Sequence, residues 1–366
     1  MLRYRFRLKT ADIRFRKRID SKKLTIRKEQ VMKTQAIQFI SKYNAELCET
    51  ELDETLAPDQ VLLKTICTLI SPGTELDTLT GVVHNGRLTY PVTLGYSAVA
   101  EVIAAGENVT HVTVGDRCLC YHSKHRNIQK MPGRDVVKIE DYTLSSEEAV
   151  YCVVGCMGFQ GVRRCRPEFG ESLMVMGLGL LGQFAVQTAH LSGCHPVIAL
   201  DFNEKRRKLA LLSGADAAFS PDDPELESKV FSLTGGKGAD SVIEVTGNPQ
   251  AVVQGLKLTA KFGRFSLVGC SRTATENIDF YNLVHRPGIS LIGAHNMARP
   301  LNDRRPGVWT MAEDMATLLR FMAAGRLTAR HLHTLTADPA DAHGIYDRFL
   351  AKDPELLGVV FDWKNY

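Results

Sequence analysis

Three glycines at fixed spacing, in Gly177-Leu-Gly179-Leu180-Leu181-Gly182, carry the clearest chemical meaning in this chain. They follow a short apolar run, Leu173–Met176, and open a stretch with helical periodicity. In that setting G-x-G-x-x-G puts one glycine in a tight turn, one where backbone approaches a pyrophosphate, and one where helix and strand pack closely. The N–H groups and positive dipole end of the helix N-terminus then favour phosphate. Asp201 stands 19 residues after Gly182, at the end of a second apolar run, VIAL. A carboxylate there can accept both hydroxyls of a ribose and repels a 2′-phosphate, so NAD is expected over NADP. Arg206 keeps NADP open as the lesser cofactor. A second group of chemistry-bearing residues is Cys118-Leu-Cys120-Tyr-His122-Ser-Lys-His125. On an alternating strand Cys118, Cys120 and His122 would share one face, which makes a metal sterically conceivable. The alternative is that the two thiols pack as small apolar groups.

The elements that must position these residues fall into two kinds. From Met32 to about Tyr151 the chain has short β-branched runs punctuated by Gly and Pro (QVLLKTICTLI, YPVTLGYSAVAEVIAAG, VGDRCLCYH), which predicts a mainly β region. From about Gly155 apolar strand and amphipathic helix alternate, the pattern of βαβα units around a parallel sheet. KGADSVIEVTG, KFGRFSLVGCS and GISLIGAH supply further strands of that sheet. Helix-rich sequence from WTMAEDMATLLRFMAAGRL onward precedes a terminal strand, LGVVFDW.

At 366 residues the chain suits two domains of about 100–200 residues each. No apolar run approaches the roughly 20 residues of a membrane-spanning helix, so a soluble globular protein is expected, with no membrane partner. Residues 1–31 carry 12 Lys/Arg against 3 Asp/Glu, leaving 33 against 38 in residues 32–366. The basic character therefore belongs to a tail, expected to be disordered or a non-native leader, and the body gives no sign of a nucleic-acid partner. The tail lacks a secretory h-region. The nine cysteines have no framework spacing and are expected to be reduced thiols of a cytoplasmic protein.

Further motifs accompany the glycines: GTEL at Gly73–Leu76, LGYSAVAEV at Leu94–Val102, VGDR at Val114–Arg117, VVGCMGFQG at Val153–Gly161, EVTG at Glu244–Gly247, LVG at Leu267–Gly269 and IGAHN at Ile292–Asn296. With them the chain resembles the medium-chain dehydrogenase/reductase family. The resemblance implies an α/β fold of two parts: a GroES-like, mainly β catalytic domain (32–155 and 297–366) and a doubly wound Rossmann domain with a parallel sheet (156–296). Hydride would pass in the cleft between them. It further implies that Thr246, Val268, Gly269, Ala294 and Asn296 join the glycines, Leu180, Leu181 and Asp201 in lining the cofactor track. Pairing of two subunits through the SLIGAH edge implies a homodimer or a dimer of dimers.

The zinc-type branch of that family has Cys before G-[ST]-D, then Gly-His-Glu, then a Cys or carboxylate near the domain junction. Here the first place holds Pro72, with Ser71 before it; the second reads Gly95-Tyr96-Ser97; Cys156 alone survives. One thiol falls short of the three protein ligands usual for catalytic zinc, so no zinc is expected. The resemblance then puts Tyr96 at the place of a lost ligand and Thr74 at a relay hydroxyl. Tyr96, with Thr74 or His122, would bind the substrate oxygen, and His122 would exchange its proton. The Asn-, Arg- and His-rich segment IGAHNMARPLNDRRPGVWT suits a sugar- or polyol-like alcohol or ketone. Three other readings stay open: a zinc enzyme with rearranged ligands, an NADPH-linked enoyl or quinone reductase, and a catalytically silent NAD-binding protein.

Overall fold

The computed structural model describes residues 31–82, 88–271, 273–276 and 278–366. Apart from Val31, the basic tail lies outside the described residues. No described helix is long and apolar enough to cross a membrane.

Six parallel strands form one sheet, in the spatial order Ala217–Phe219, Val197–Leu200, Leu173–Met176, Ala239–Glu244, Thr259–Leu267, Ser290–Gly293. Leu173–Met176, Val197–Leu200 and most of Ala239–Glu244 are buried, as helices on both faces require of a parallel sheet. The order reverses between Leu173–Met176 and Ala239–Glu244, where the doubly wound arrangement opens a crevice beyond the carboxyl ends of the strands. Both GLGLLG and EVTG begin there.

The second sheet draws strands from both ends of the chain: His333–Ala337, Gly358–Asp362, Gln60–Leu69, Ser97–Ala105, Arg117–Tyr121 and Val136–Lys138, with Ile128–Pro132 also on Gln60–Leu69. Val31–Ser41 and Asn44–Asp53 make a separate hairpin. The run YPVTLGYSAVAEVIAAG is not one strand: pairing starts at Ser97. Gly95 has φ +106° and the Leu94 carbonyl accepts the His125 N–H, so Gly95 and Tyr96 sit in a bend rather than in the ladder.

One apolar core joins the two sheets. Leu69, Val99 and Leu119 from the second sheet pack with Leu180 and Phe184 from the helix Leu180–Leu191, with Met315 and Leu318 from the helix Met311–Ala323, and with Val153 and Val154 from the helix Cys152–Cys165. Burying such side chains is worth about 1.5–3 kcal/mol each before entropy is counted. This shared core sets the width of the cleft between the sheets.

Candidate active site

Leu173–Met176 delivers the chain into the crevice, where Gly177 takes φ +92°, a conformation that costs glycine least. The helix then begins at Leu180, with Gly179 as N-cap. A Cβ on Gly182 would lie 1.8 Å from the Gly177 carbonyl oxygen, so only glycine lets the first helical turn sit against the loop. The Asp201 carboxylate accepts the N–H of Leu178 and of Asn203, each at 2.8 Å. Arg206 Nη1 stands 4.0 Å from it. Two of about four acceptor positions on that carboxylate are thus used by backbone, and the rest remain for a ligand. Opposite, buried Glu244 accepts from the Thr246 N–H (2.7 Å), the Thr246 hydroxyl and the Gly247 N–H. Burial raises its pKa, against the lowering effect of those hydrogen bonds.

A cleft of about 980 Å³ runs from here to the second sheet. Gly177, Gly179, Leu180, Leu181, Asp201, Arg206, Thr246, Val268, Gly269 and Asn296 line it, as do Thr74, Tyr96 and His122. The expected cofactor and catalytic residues therefore meet in one cavity, except for two. Gly182 packs behind the loop, and Ala294 is buried with its N–H on the Leu267 carbonyl. The free backbone N–H groups of the helix start, the Gly182 cradle and the open faces of Asp201 fit a dinucleotide.

At the other end of the cleft the Tyr96 phenol is hydrogen-bonded to the Ser71 hydroxyl. Burial pushes the Tyr96 pKa well above the usual phenol range, so this group is a neutral donor and not a base. Two hydroxyls sharing one hydrogen bond leave one O–H hydrogen uncommitted. Ser71 precedes the helix Pro72–Thr80, and its N–H goes to buried Glu75 (2.9 Å). Glu75 also accepts from Tyr346 (2.5 Å) and meets His125 Nε2 at 3.2 Å. Thr74 lies in the first turn of the same helix, exposed on the cleft wall; the hydroxyl that meets Tyr96 is Ser71's. Sequence reasoning missed this partnership because it depends on the bend at Gly95.

His122 corrects an expectation. The strand ends at Tyr121 and His122 takes φ +61°, so strand alternation does not extend to it. Its ring stacks on that of Tyr121, centroids 3.7 Å apart, its side chain is 54% exposed, and Nδ1 is 3.5 Å from Asp135. Cys118 and Cys120 are fully buried in an apolar cluster, while His125 is spent on Glu75 and Thr68. The conceivable shared-face metal set is therefore separated by the end of the strand, and the two thiols pack.

The donors at the place of a zinc site are likewise unsuited to one. Ser71 and Tyr96 are neutral hydroxyls bonded to each other, which leaves Cys156 as the one zinc-type donor among the three. Among the described residues no three His, Cys, Asp or Glu side chains are grouped to hold a metal ion. This donor set does not fit catalytic zinc.

Arg299, from the polar loop, has a guanidinium that is 6% exposed and pairs with buried Asp314, so its charge is spent inside the protein. Asp314 sits in a helix opened by a capping box of Thr310 and Glu313, a cap worth about 0.5–2 kcal/mol.

Comparison with known proteins agrees with this architecture. Residues 57–154 match the family described as alcohol dehydrogenase GroES-like domain, and residues 181–318 match zinc-binding dehydrogenase. An L-threonine 3-dehydrogenase from Pyrococcus furiosus is 27% identical over 282 residues, covering 69% of this chain and 79% of its own. A D-guloside 3-dehydrogenase from Escherichia coli K12 is 26% identical over 278 residues, covering 73% and 77%. Among solved structures, an alcohol dehydrogenase from Thermus sp. ATN1 shares the fold with TM-score 0.77 at 19% identity, covering 90% of this chain and 99% of its own. L-Idonate 5-dehydrogenase from Escherichia coli K-12 does so with TM-score 0.77 at 16% identity, covering 91% and 99%. With a dinucleotide crevice, a GroES-like sheet and a cleft between them, and with a family model matched in each half, the chain has the medium-chain dehydrogenase/reductase fold and is an alcohol-type dehydrogenase.

Proposed function

We propose that this protein is an NAD-preferring oxidoreductase that interconverts a secondary alcohol and its ketone on a sugar- or polyol-like substrate, without catalytic zinc. The observation that carries the reading is the Tyr96–Ser71 hydroxyl pair, which stands at the end of the dinucleotide cleft where the zinc-type branch has ligands. A bound dinucleotide supplies a nicotinamide that accepts or returns hydride. The uncommitted O–H of the pair holds the substrate oxygen and stabilises the charge developing on it. His122, stacked on Tyr121 and facing Asp135, takes the alcohol proton to solvent, and Thr74 offers a further hydroxyl on the same wall. The Asp201 carboxylate supports NAD over NADP because it would repel a 2′-phosphate. The curated relatives are named for L-threonine and a D-guloside; the hydroxyl and amide groups of this cleft favour the sugar-like class. We further infer a cytoplasmic homodimer or dimer of dimers paired at the strand Ser290–Gly293, an open sheet edge with Leu291 exposed.

Elemental analysis of the purified protein, with NAD⁺- and NADP⁺-linked turnover of polyols and sugar glycosides, tests this. The expected result is turnover with NAD⁺ at substoichiometric zinc, unaffected by chelator. Stoichiometric zinc whose removal abolishes turnover overturns the mechanism, and strict NADP use overturns the cofactor assignment.

A further inference from the structure

Tyr121 closes the strand Arg117–Tyr121 and lines the cleft beside Tyr96. Its cross-strand partner is Ser97, the residue after Tyr96, so one tyrosine ends a strand and the other stands in the bend that leads into the neighbouring strand. Tyr121 is held by a chain of polar groups from several elements. Asn296 Nδ2 donates to the Tyr121 oxygen at 2.5 Å, and Arg299 Nε donates to Asn296 Oδ1 at 2.9 Å. Arg299 also donates to the Cys156 carbonyl at 2.7 Å and pairs with Asp314. Asp314 pairs in turn with Arg163, whose guanidinium lies over the rings of Phe159 (4.2 Å) and Trp309 (3.9 Å).

Donor chemistry fixes the direction of every bond in this chain. A guanidinium only donates, so the Asn296 oxygen must face Arg299 and its NH₂ must face Tyr121. An amide NH₂ also only donates, so the phenol oxygen accepts there. The Tyr121 O–H hydrogen is therefore unused by the network, on a side chain that lines the cleft.

We propose that Tyr121 is a specificity-determining donor: held by Asn296, Arg299 and Asp314, it binds a second substrate oxygen, on the carbon next to the one oxidised, while the Tyr96–Ser71 pair holds the first. The site then selects vicinal diols and hydroxy-ketones over simple secondary alcohols. This rests on the function proposed above, with Asn296 and Arg299 acting as positioning residues.

The test compares butane-2,3-diol with butan-2-ol in the NADH-loaded full-length protein carrying 3-fluorotyrosine at position 121 or, separately, at position 96. Expected is a ¹⁹F shift at position 121 with the diol and not with the mono-alcohol, lost in Asn296→Ala, while position 96 responds to both. A position 121 that ignores the diol while position 96 responds overturns the proposal and leaves the function standing; silence at both positions overturns both. In NAD⁺-linked turnover, Tyr121→Phe should lower kcat/KM for the diol by about 10- to 100-fold and leave butan-2-ol unchanged. The double variant with Asn296→Ala should be no worse than the poorer single one. Equal losses on both alcohols, or none on either, would refute the assignment.

Discussion

The Asp201 carboxylate accepts the backbone N–H of Leu178 at 2.8 Å. The residue expected to read the ribose therefore also braces the glycine loop that carries the pyrophosphate. Two functions that look separate along the chain, separated by more than 20 residues, are one mechanical unit in the folded protein.

Asp201→Asn consequently acts in two ways. It removes the charge that opposes a 2′-phosphate, and it weakens a charge-assisted bond worth about 1.5–3 kcal/mol. NAD⁺ kcat/KM should fall by about 10-fold or more while NADP⁺ use rises. Steady-state kinetics with both dinucleotides check this; an unchanged ratio would mean that Asp201 does not read the ribose.

Gly182→Ala drives a methyl group to 1.8 Å from the Gly177 carbonyl. Relief requires moving the helix start off the loop, at about 1–3 kcal/mol. The thermal midpoint should fall, and the stabilisation produced by added NAD⁺ should shrink more than it does in a substitution remote from the cleft.

Tyr96→Phe keeps the ring in the core and deletes one partner of the hydroxyl pair. Turnover should fall by about 10²-fold with little change in melting temperature. Ser71→Ala should also lower turnover, since it removes the partner that orients the Tyr96 hydroxyl. Retention of full activity in both variants would remove the pair from the mechanism.

Stability should decline on mild acidification. Burial lowers the pKa of His331 and of His333 from 6.5, against the raising effects of Glu148 and Glu147. Below about 6.5 the unfolded chain binds protons that the folded protein resists, so this stability is full above that pH and is lost as pH falls through the window. Ser213 Oγ meets His331 Nε2 at 2.7 Å. In His331→Gln the slope of melting temperature between pH 5 and 7 should be shallower than in the parent protein.

Much of the fold was readable along the chain because parallel strands and their helices write strong local periodicities. The glycine spacing with Asp201 located the crevice for the same reason: turn, strand and helix are contiguous there. Which residue types stand at Ser71, Pro72, Tyr96 and Ser97 was also legible, since it depends on sequence alone. How these residues are joined could not be read that way. The Ser71–Tyr96 bond spans 25 residues and exists because Gly95 bends the chain out of the ladder. His122 left its anticipated strand face through a single positive φ, which separated it from Cys118 and Cys120. Arg299, one of several arginines in the polar loop, is neutralised by Asp314 from a helix 15 residues on. Residue type and spacing dictate which elements form; hydrogen-bond direction and charge pairing among distant side chains, settled only when the two sheets share one core, dictate which donors face the cleft.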